Sequence, residues 1–240
     1  MKILAIDTSS QAASTALWED GALLGEEYIR VKLTHSQTSL PMVQTLLQHT
    51  QTSLEEVDLL AVSVGPGSFT GLRIGIAAVK GIAYALGKPC GAISTLECLA
   101  HNFLGVDTLV CAVMDARCKQ VYTALFRSVG GRLQRLSEDA AIPLQELQER
   151  LSQYQEPIFL VGDGAQLCYD AYGSSMPHLR LAPEHLRYQH AAGLCTAAWE
   201  AFQQGRVCSA QELAPIYLRL PQAERERMAR MKQNTEESKP

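Results

Sequence analysis

Three short segments carry the side chains with which this chain could handle a phosphate or a metal: Asp7-Thr8-Ser9-Ser10, Asp115-Ala116-Arg117 and Gly162-Asp163-Gly164-Ala165. Each closes an apolar run of strand length. A carboxylate beside hydroxyls or bare glycine amides at such a turn is what nucleotide-binding α/β proteins use to hold magnesium and phosphate. If the three turns converge, Asp7, Thr8, Ser9, Asp115, Gly162 and Gly164 belong to one cleft. The bland reading stands beside it, because Asp and Ser side chains bond their own backbone two residues on and make ordinary turns. Arg117 sits where a phosphate loop would want glycine, so Asp115 is expected to pair with Arg117 or cap its own turn.

The sharpest local feature is GPGSFTGLRIG at 65–75. It invites a phosphate-loop reading and fails it, since Gly71 is followed by Leu72 where a Walker loop needs lysine and a hydroxyl. The dinucleotide spacing fails as well, with Gly71 in place of a glycine at 70. A nucleophile elbow at Ser68 would need glycines where Pro66 and Thr70 stand. What remains is a tight strand-to-helix turn in which Ser68 or Thr70 caps the helix. The six histidines offer no pair four apart on an expected helix and no H-E-x-x-H. No catalytic residue and no metal site is expected.

These segments need elements to hold them. Residues 2–7, 13–18 and 22–31 read as strands, the last two joined by Asp20-Gly21, a hairpin signal. Ser36–Thr50 reads as a helix, with Leu40, Val43, Leu46 and Leu47 on one face and Pro41 in its first turn. A strand at 58–64 and a helix at about 70–86, stopped by Gly87 and Pro89, complete a β-β-β-α-β-α order. Strands at 109–115, 120–126 and 132–137, a helix at 143–153 and a strand at 157–161 repeat the theme, which suggests a duplicated fold. The division is placed near residue 105, giving halves 1–105 and 106–220. Residues 221–240 hold nine charged side chains and are expected to form a flexible tail.

The helix at 70–86 contains Gly71, Gly75 and Gly81, each costing about 1 kcal/mol relative to alanine in a helix interior. So many usually mean that another backbone comes close, either the chain's own sheet or another subunit. Together with apolar residues on several sides, this marks Leu40, Val43, Leu46, Leu47, Leu72, Arg73, Gly75, Ile76, Val79 and Ile82 as the expected docking face. A charge at Gly75 or Val79 should then abolish docking and leave the monomer folded.

The totals limit what such a site can serve. The 240 residues carry 47% hydrophobic side chains and a net charge of -4, enough for a large core and short of the basic face that a stand-alone nucleic-acid binder needs. The local exception is Arg219, Arg225, Arg227, Arg230 and Lys232 near the end. Seven cysteines, an odd number without C-x-x-C spacing, read as buried thiols in a reducing compartment. The apolar runs are broken before membrane-spanning length, so a cytoplasmic protein with no membrane partner is expected.

Taken together, ILAIDTS (3–9), His35-Ser36 before an amphipathic helix, GPGSFTGLRIG (65–75), STLE (94–97), DAR (115–117) with Val121-Tyr122, GDGA (162–165) and PIYLR (215–219) resemble the TsaB family, also called YeaZ. The motifs run in order over about residues 1–220. The resemblance implies an α/β, duplicated actin-like (ribonuclease H-like) ATPase fold, with two similar halves, each a mixed sheet with helices, around a nucleotide cleft. It also implies a non-catalytic partner of a related catalytic subunit, TsaD, and an ATPase, TsaE. That assembly transfers a threonylcarbamoyl group to the adenosine beside the anticodon in tRNAs reading codons that begin with A.

On this resemblance the chain has no cofactor of its own. ATP and threonylcarbamoyl-adenylate are used by the complex, tRNA is met only through it, and the isolated chain forms a homodimer. The catalytic relative carries two metal-binding histidines four residues apart, whose places fall at Thr95 and Leu99, and neither side chain can replace an imidazole. The chain departs from the family at Cys118-Lys119-Gln120, where a basic residue, glycine and glutamate are usual. The competing readings are a stand-alone nucleotide-binding ATPase or kinase, which wants glycines around Asp115, and a peptidase, which wants the metal pair.

Overall fold

The computed structural model describes residues 1–219. The tail expected from residue 221, and Arg225, Arg227, Arg230 and Lys232 with it, lie outside the described residues.

The first sheet contains β1 (Lys2–Asp7), β2 (Ala13–Glu19), β3 (Ala22–Ile29), β4 (Leu59–Gly65) and β5 (Cys90–Ser94) in the order β3-β2-β1-β4-β5. β1 to β3 form an antiparallel meander, and β4 and β5 add in parallel. Asp20 and Gly21 both take positive φ, 46° and 96°, the left-handed pair that a two-residue hairpin turn demands. β1 and β4 are apolar almost throughout because the sheet is covered on both faces, and their alternating side chains divide between two cores. Leu4, Ile6, Leu60 and Val62 join α1 (His35–His49) and α2 (Phe69–Leu86) on one face. Ile3, Ala5, Leu59 and Ala61 join α7 (Ala191–Gln203) on the other.

α2 behaves as its sequence dictates. Ser68 caps it by accepting a bond from Gly71 N, and Gly87 ends it in the left-handed conformation at φ 64°. α1 differs from expectation, because the helix begins at His35 and places Pro41 in its second turn. Gln37, whose carbonyl the missing Pro41 N–H would have met, and Pro41 itself are both exposed, so water can take the orphaned group.

The second sheet repeats the first. β6 (Thr108–Asp115), β7 (Gln120–Val129), β8 (Arg132–Arg135), β10 (Ile158–Val161) and β11 (Leu179–Leu181) lie in the order β11-β10-β6-β7-β8, with β9 (Ala140–Pro143) also on β7. Strand for strand, this is the first order with the same directions of pairing. α4 (Leu144–Leu151) and α5 (Ala165–Tyr172) cover one face, and α3 (Thr95–His101) lies against the other; α6 (Glu184–Arg187) is a single turn.

Packing does not follow the chain division placed near residue 105. α7, from the second half, covers β1, β2 and β5 of the first sheet, while α3, from the first half, supplies Leu96, Leu99 and Ala100 to the core under β6 and β7. Segment 208–213 also returns to the first half, where Ala210 and Leu213 enter the core beneath α2. Sequence periodicity missed β5, β9, β11, α3, α5, α6 and α7. The strands and α3 are too short to show a period, and α7 (AAGLCTAAWEAFQ) is built largely of small side chains that leave little polar contrast.

The β6–β7 hairpin is the strained point. Arg117, Cys118 and Lys119 hold φ of 64°, 55° and 57°, three consecutive left-handed residues without a glycine. Cys118 and Lys119 also belong to the stretch, 118–120, at which the chain departs from the family pattern.

Candidate functional site

The three turns do converge. Between the two sheets lies a cleft of about 330 Å³ whose walls include Ser10, Ser68, Asp115, Arg117 and Asp163. Asp7, Thr8 and Ser9 stand behind this wall. Asp7 is fully buried, its Oδ1 accepting from Ser9 N at 2.8 Å and Ser9 Oγ at 2.6 Å, and its Oδ2 accepting from Ser63 Oγ. Both carboxylate oxygens are therefore spent inside the first half.

Thr8 fastens the glycine-rich helix. Its Oγ1 donates to Gly71 O at 2.8 Å. A Cβ on Gly71 would stand 2.1 Å from Thr8 O, one on Gly75 2.5 Å from Thr8 Oγ1, and one on Gly67 2.4 Å from Ser9 O. The close backbone that these glycines anticipate is thus the chain's own strand-end turn. Gly81, by contrast, has nothing within 4 Å of its missing Cβ.

Asp115 is the counterpart of Asp7. Its Oδ1 accepts from Arg117 N at 2.7 Å, and its Oδ2 lies 3.5 Å from the Arg117 guanidinium. Asp163 Oδ1 accepts from Asp115 N at 3.1 Å, and burial pushes the Asp163 carboxyl above its ordinary range. Gly162 and Gly164 close this side: a Cβ on Gly162 would stand 2.1 Å from Val113 O, and one on Gly164 2.9 Å from Asp115 N.

Tyr217 and Arg219, from the PIYLR segment, complete the cleft. Ile216 N donates to Val64 O at 2.7 Å, and this brings Tyr217 and Arg219 across the opening. Tyr217 stacks on Phe69 with ring centroids 4.7 Å apart, and Arg73 lies 3.9 Å over Phe69 while its Nε donates to Tyr217 OH at 2.9 Å. Arg219 donates to the carbonyls of Ala116 and Arg117. The PIYLR signal was visible in the sequence, but its place over the cleft was not, since Arg219 lies 103 residues from Ala116 and Tyr217 lies 144 from Arg73.

The cleft sets the guanidinium groups of Arg117 and Arg219 beside the carboxylates of Asp115 and Asp163. Among the described residues, the walls hold no imidazole, amine or thiol that could serve Ser68 as a base, and the Ser68 hydroxyl accepts from Gly71 N at 3.2 Å. Thr95 and Leu99 are both fully buried in α3. A larger cavity, about 1110 Å³, lies beside β3 and is walled in part by His35, His185 and His190. Two of these imidazoles are engaged separately, His35 Nε2 with Ser10 O at 2.7 Å and His190 Nδ1 with Glu26 Oε2 at 3.1 Å.

The expected docking residues divide sharply. Val43, Leu46, Leu72, Gly75, Ile76 and Val79 are buried in this chain's own core, because α1 turns its inner face toward β2 and β3 and α2 turns its own toward β4 and β1. Leu47 and Ile82 are partly buried against the same core. Only Leu40, 51% exposed, and Arg73 keep an open face. The uncovered stripe of α2 is instead Arg73, Ala77, Gly81, Tyr84 and Ala85, with Tyr84 72% exposed. Spacing of four and three along the helix carries that signal, while the larger aliphatic side chains lie on the inner face.

Paired sheets of one order, facing each other across a cleft lined by strand-end turns, define an α/β protein of the duplicated actin-like (ribonuclease H-like) fold. The family model described as "TsaD: tRNA N6-adenosine threonylcarbamoyltransferase" matches residues 30–227. A protein of Escherichia coli (strain K12), "tRNA threonylcarbamoyladenosine biosynthesis protein TsaB", is 34% identical over 222 residues, 91% of this chain and 95% of its own length. The protein of the same description from Haemophilus influenzae is 30% identical over 227 residues, 91% and 94% of the two chains. The solved structure "YeaZ from Pseudomonas aeruginosa" superimposes with a TM-score of 0.75 at 33% identity, covering 90% of this chain and 99% of that one. The chain belongs to the TsaB (YeaZ) family.

Proposed function

We propose that this chain is a cytoplasmic, non-catalytic partner subunit in threonylcarbamoyladenosine formation on tRNA. It acts with the catalytic subunit TsaD and the ATPase TsaE, which use threonylcarbamoyl-adenylate and ATP. The observation that supports this reading is the two-sidedness of α2: six of its eighteen residues are buried, and beyond Arg73 the outer stripe of Ala77, Gly81, Tyr84 and Ala85 is apolar or small and uncovered. A surface helix of one domain would be polar there. Small residues at Ala77 and Gly81 let a second backbone approach, and Leu40 and Tyr84 supply apolar anchors on α1 and α2. The same stripe serves TsaD or a second copy of this chain, so the homodimer of the isolated protein and the heterodimer exclude each other. With a net charge of -4, the chain meets tRNA through the complex.

The test is the paired variant Leu40→Glu with Tyr84→Glu. Both side chains are solvent-facing, so circular dichroism and thermal unfolding should match the parent. Co-purification with TsaD, and threonylcarbamoylation of tRNA in a reconstituted mixture, should be lost. A variant that still assembles and still supports modification would place docking elsewhere.

A further inference from the structure

Cys90 opens β5, and Cys208 lies on the segment that follows α7; the two face each other in an isolated antiparallel bridge. Cys90 N donates to Cys208 O at 2.8 Å, and Cys208 N donates to Cys90 O at 2.9 Å. Residues that exchange both bonds hold their Cα atoms about 5.5 Å apart, within the roughly 4.4–6.8 Å span that disulfides use. Directly opposed residues of an antiparallel pair also send their side chains to one face. Here both thiols reach the apolar core beneath α2, Cys90 inside it and Cys208 at its margin.

The margin is open to a small reagent. Cys208 lines a cavity of about 580 Å³ between the end of α2 and segment 207–212, with Tyr84 and Lys88 among its other walls. Lys80 reaches the same segment, donating to Gln211 O at 3.2 Å and Leu213 O at 3.0 Å. Burial pushes the Cys90 thiol up to about 11, and burial and then Glu212 push Cys208 up, with the Lys80 charge opposing in both cases. Thiols so tuned exchange slowly, and the half-exposed Cys208 is the one that meets an incoming oxidant first.

We propose that Cys90 and Cys208 are a redox pair, closing to an intramolecular disulfide by exchange with a small dialkyl disulfide of the glutathione type. The Cys208 thiolate attacks one sulfur of the reagent, forming a mixed disulfide and releasing the first small thiolate. The Cys90 thiolate then attacks the Cys208 sulfur and releases the second. The two protein thiols lose two electrons and two protons, and the reagent becomes two small thiols. The bond pins segment 206–219 to β5, and this segment carries Tyr217 and Arg219 over the cleft.

The native full chain, incubated with oxidised glutathione at mildly alkaline pH, alkylated and digested, should yield one peptide joining residues 90 and 208. The oxidised protein should melt at a higher temperature, and dithiothreitol should reverse both effects. Cys208→Ser should abolish the cross-link, and Cys118→Ser, which alters the exposed cysteine, should leave it intact. Glutathione that stays on Cys208 without release, or a cross-link through Cys118 alone, would overturn the proposal. So would a Cys90–Cys208 peptide that forms only in urea, since that would show the native geometry unable to close.

Discussion

The turns after β1 and β6 are the same device in two settings. In each, a strand-ending aspartate accepts a bond from the amide two residues on, Asp7 from Ser9 and Asp115 from Arg117. In each, the turn after the strand that pairs with it in parallel, β4 or β10, closes over it with glycine, Gly67 on Ser9 O and Gly164 on Asp115 N. The settings diverge because α2 presses Gly71 and Gly75 onto Thr8, whereas Asp115 stands on the cleft wall. The first turn has become structure, with its carboxylate fully hydrogen-bonded and dry. The second keeps a partly exposed carboxylate answered by an arginine. In both turns the aspartate oxygens are answered by groups of the chain itself.

The largest effect that would sharpen this comparison is Gly75→Glu. The expectation that such a charge leaves the monomer folded does not survive the contact between Gly75 and Thr8. The variant should lose on the order of 4 kcal/mol through overpacking and an unpaired buried charge, read as a collapsed urea midpoint for the isolated chain. A variant that stays folded and fails only to dimerise would restore Gly75 to the docking face.

Smaller losses should follow from the paired strand-end glycines. Gly65 and Gly162 hold φ of 127° and 100°, and an added Cβ would stand 2.3 Å from Ile216 O and 2.1 Å from Val113 O respectively. Alanine at either should cost about 1–3 kcal/mol, measured by denaturant unfolding; a neutral result at one alone would break the equivalence of the halves. Ser68→Ala removes the cap of α2 and should cost about 1 kcal/mol. α5 begins at Gly164 with no side-chain cap to remove.

A pH dependence is expected at the turn after β10. Asp163 is raised by burial, so the folded chain binds its proton more tightly than the unfolded chain does. Its contribution therefore turns unfavourable as pH rises above the ordinary value of 3.8. Asp163→Asn, which keeps an acceptor for Asp115 N, should melt above the parent at pH 7, and the difference should vanish below about pH 4. A lower melting temperature at pH 7 would contradict the burial argument. The smallest effect belongs to the strained hairpin, where Lys119→Gly should stabilise by up to about 1 kcal/mol, relief of the left-handed backbone outweighing the added freedom of the unfolded chain.

Much of this was legible beforehand. β1 to β4, α1, α2 and the strands around the second turn follow from period-2 and period-3.6 patterns, the Asp20-Gly21 hairpin from its residue types, and the α2 ends from Ser68 and Gly87. Each is a local rule, decided by backbone sterics and by which side chain meets its own neighbours. Family membership was legible too, because its motifs are the turns themselves.

What tertiary structure alone decided concerns partners far apart in the chain. The glycines of α2 announce a close backbone without saying whose, and only the folded chain assigns it to Thr8. Composition shows that α1 and α2 are apolar beyond one face, but which face is covered depends on how the helices are rolled against the first sheet, α2 on β4 and β1. That roll buries Val79 and exposes Tyr84. The return of α7 to the first sheet, the reach of Arg219 to Ala116 and the meeting of Cys90 with Cys208 have no local signature. Nothing within a dozen residues of any of them differs according to the answer, and only burial of the shared core settles it.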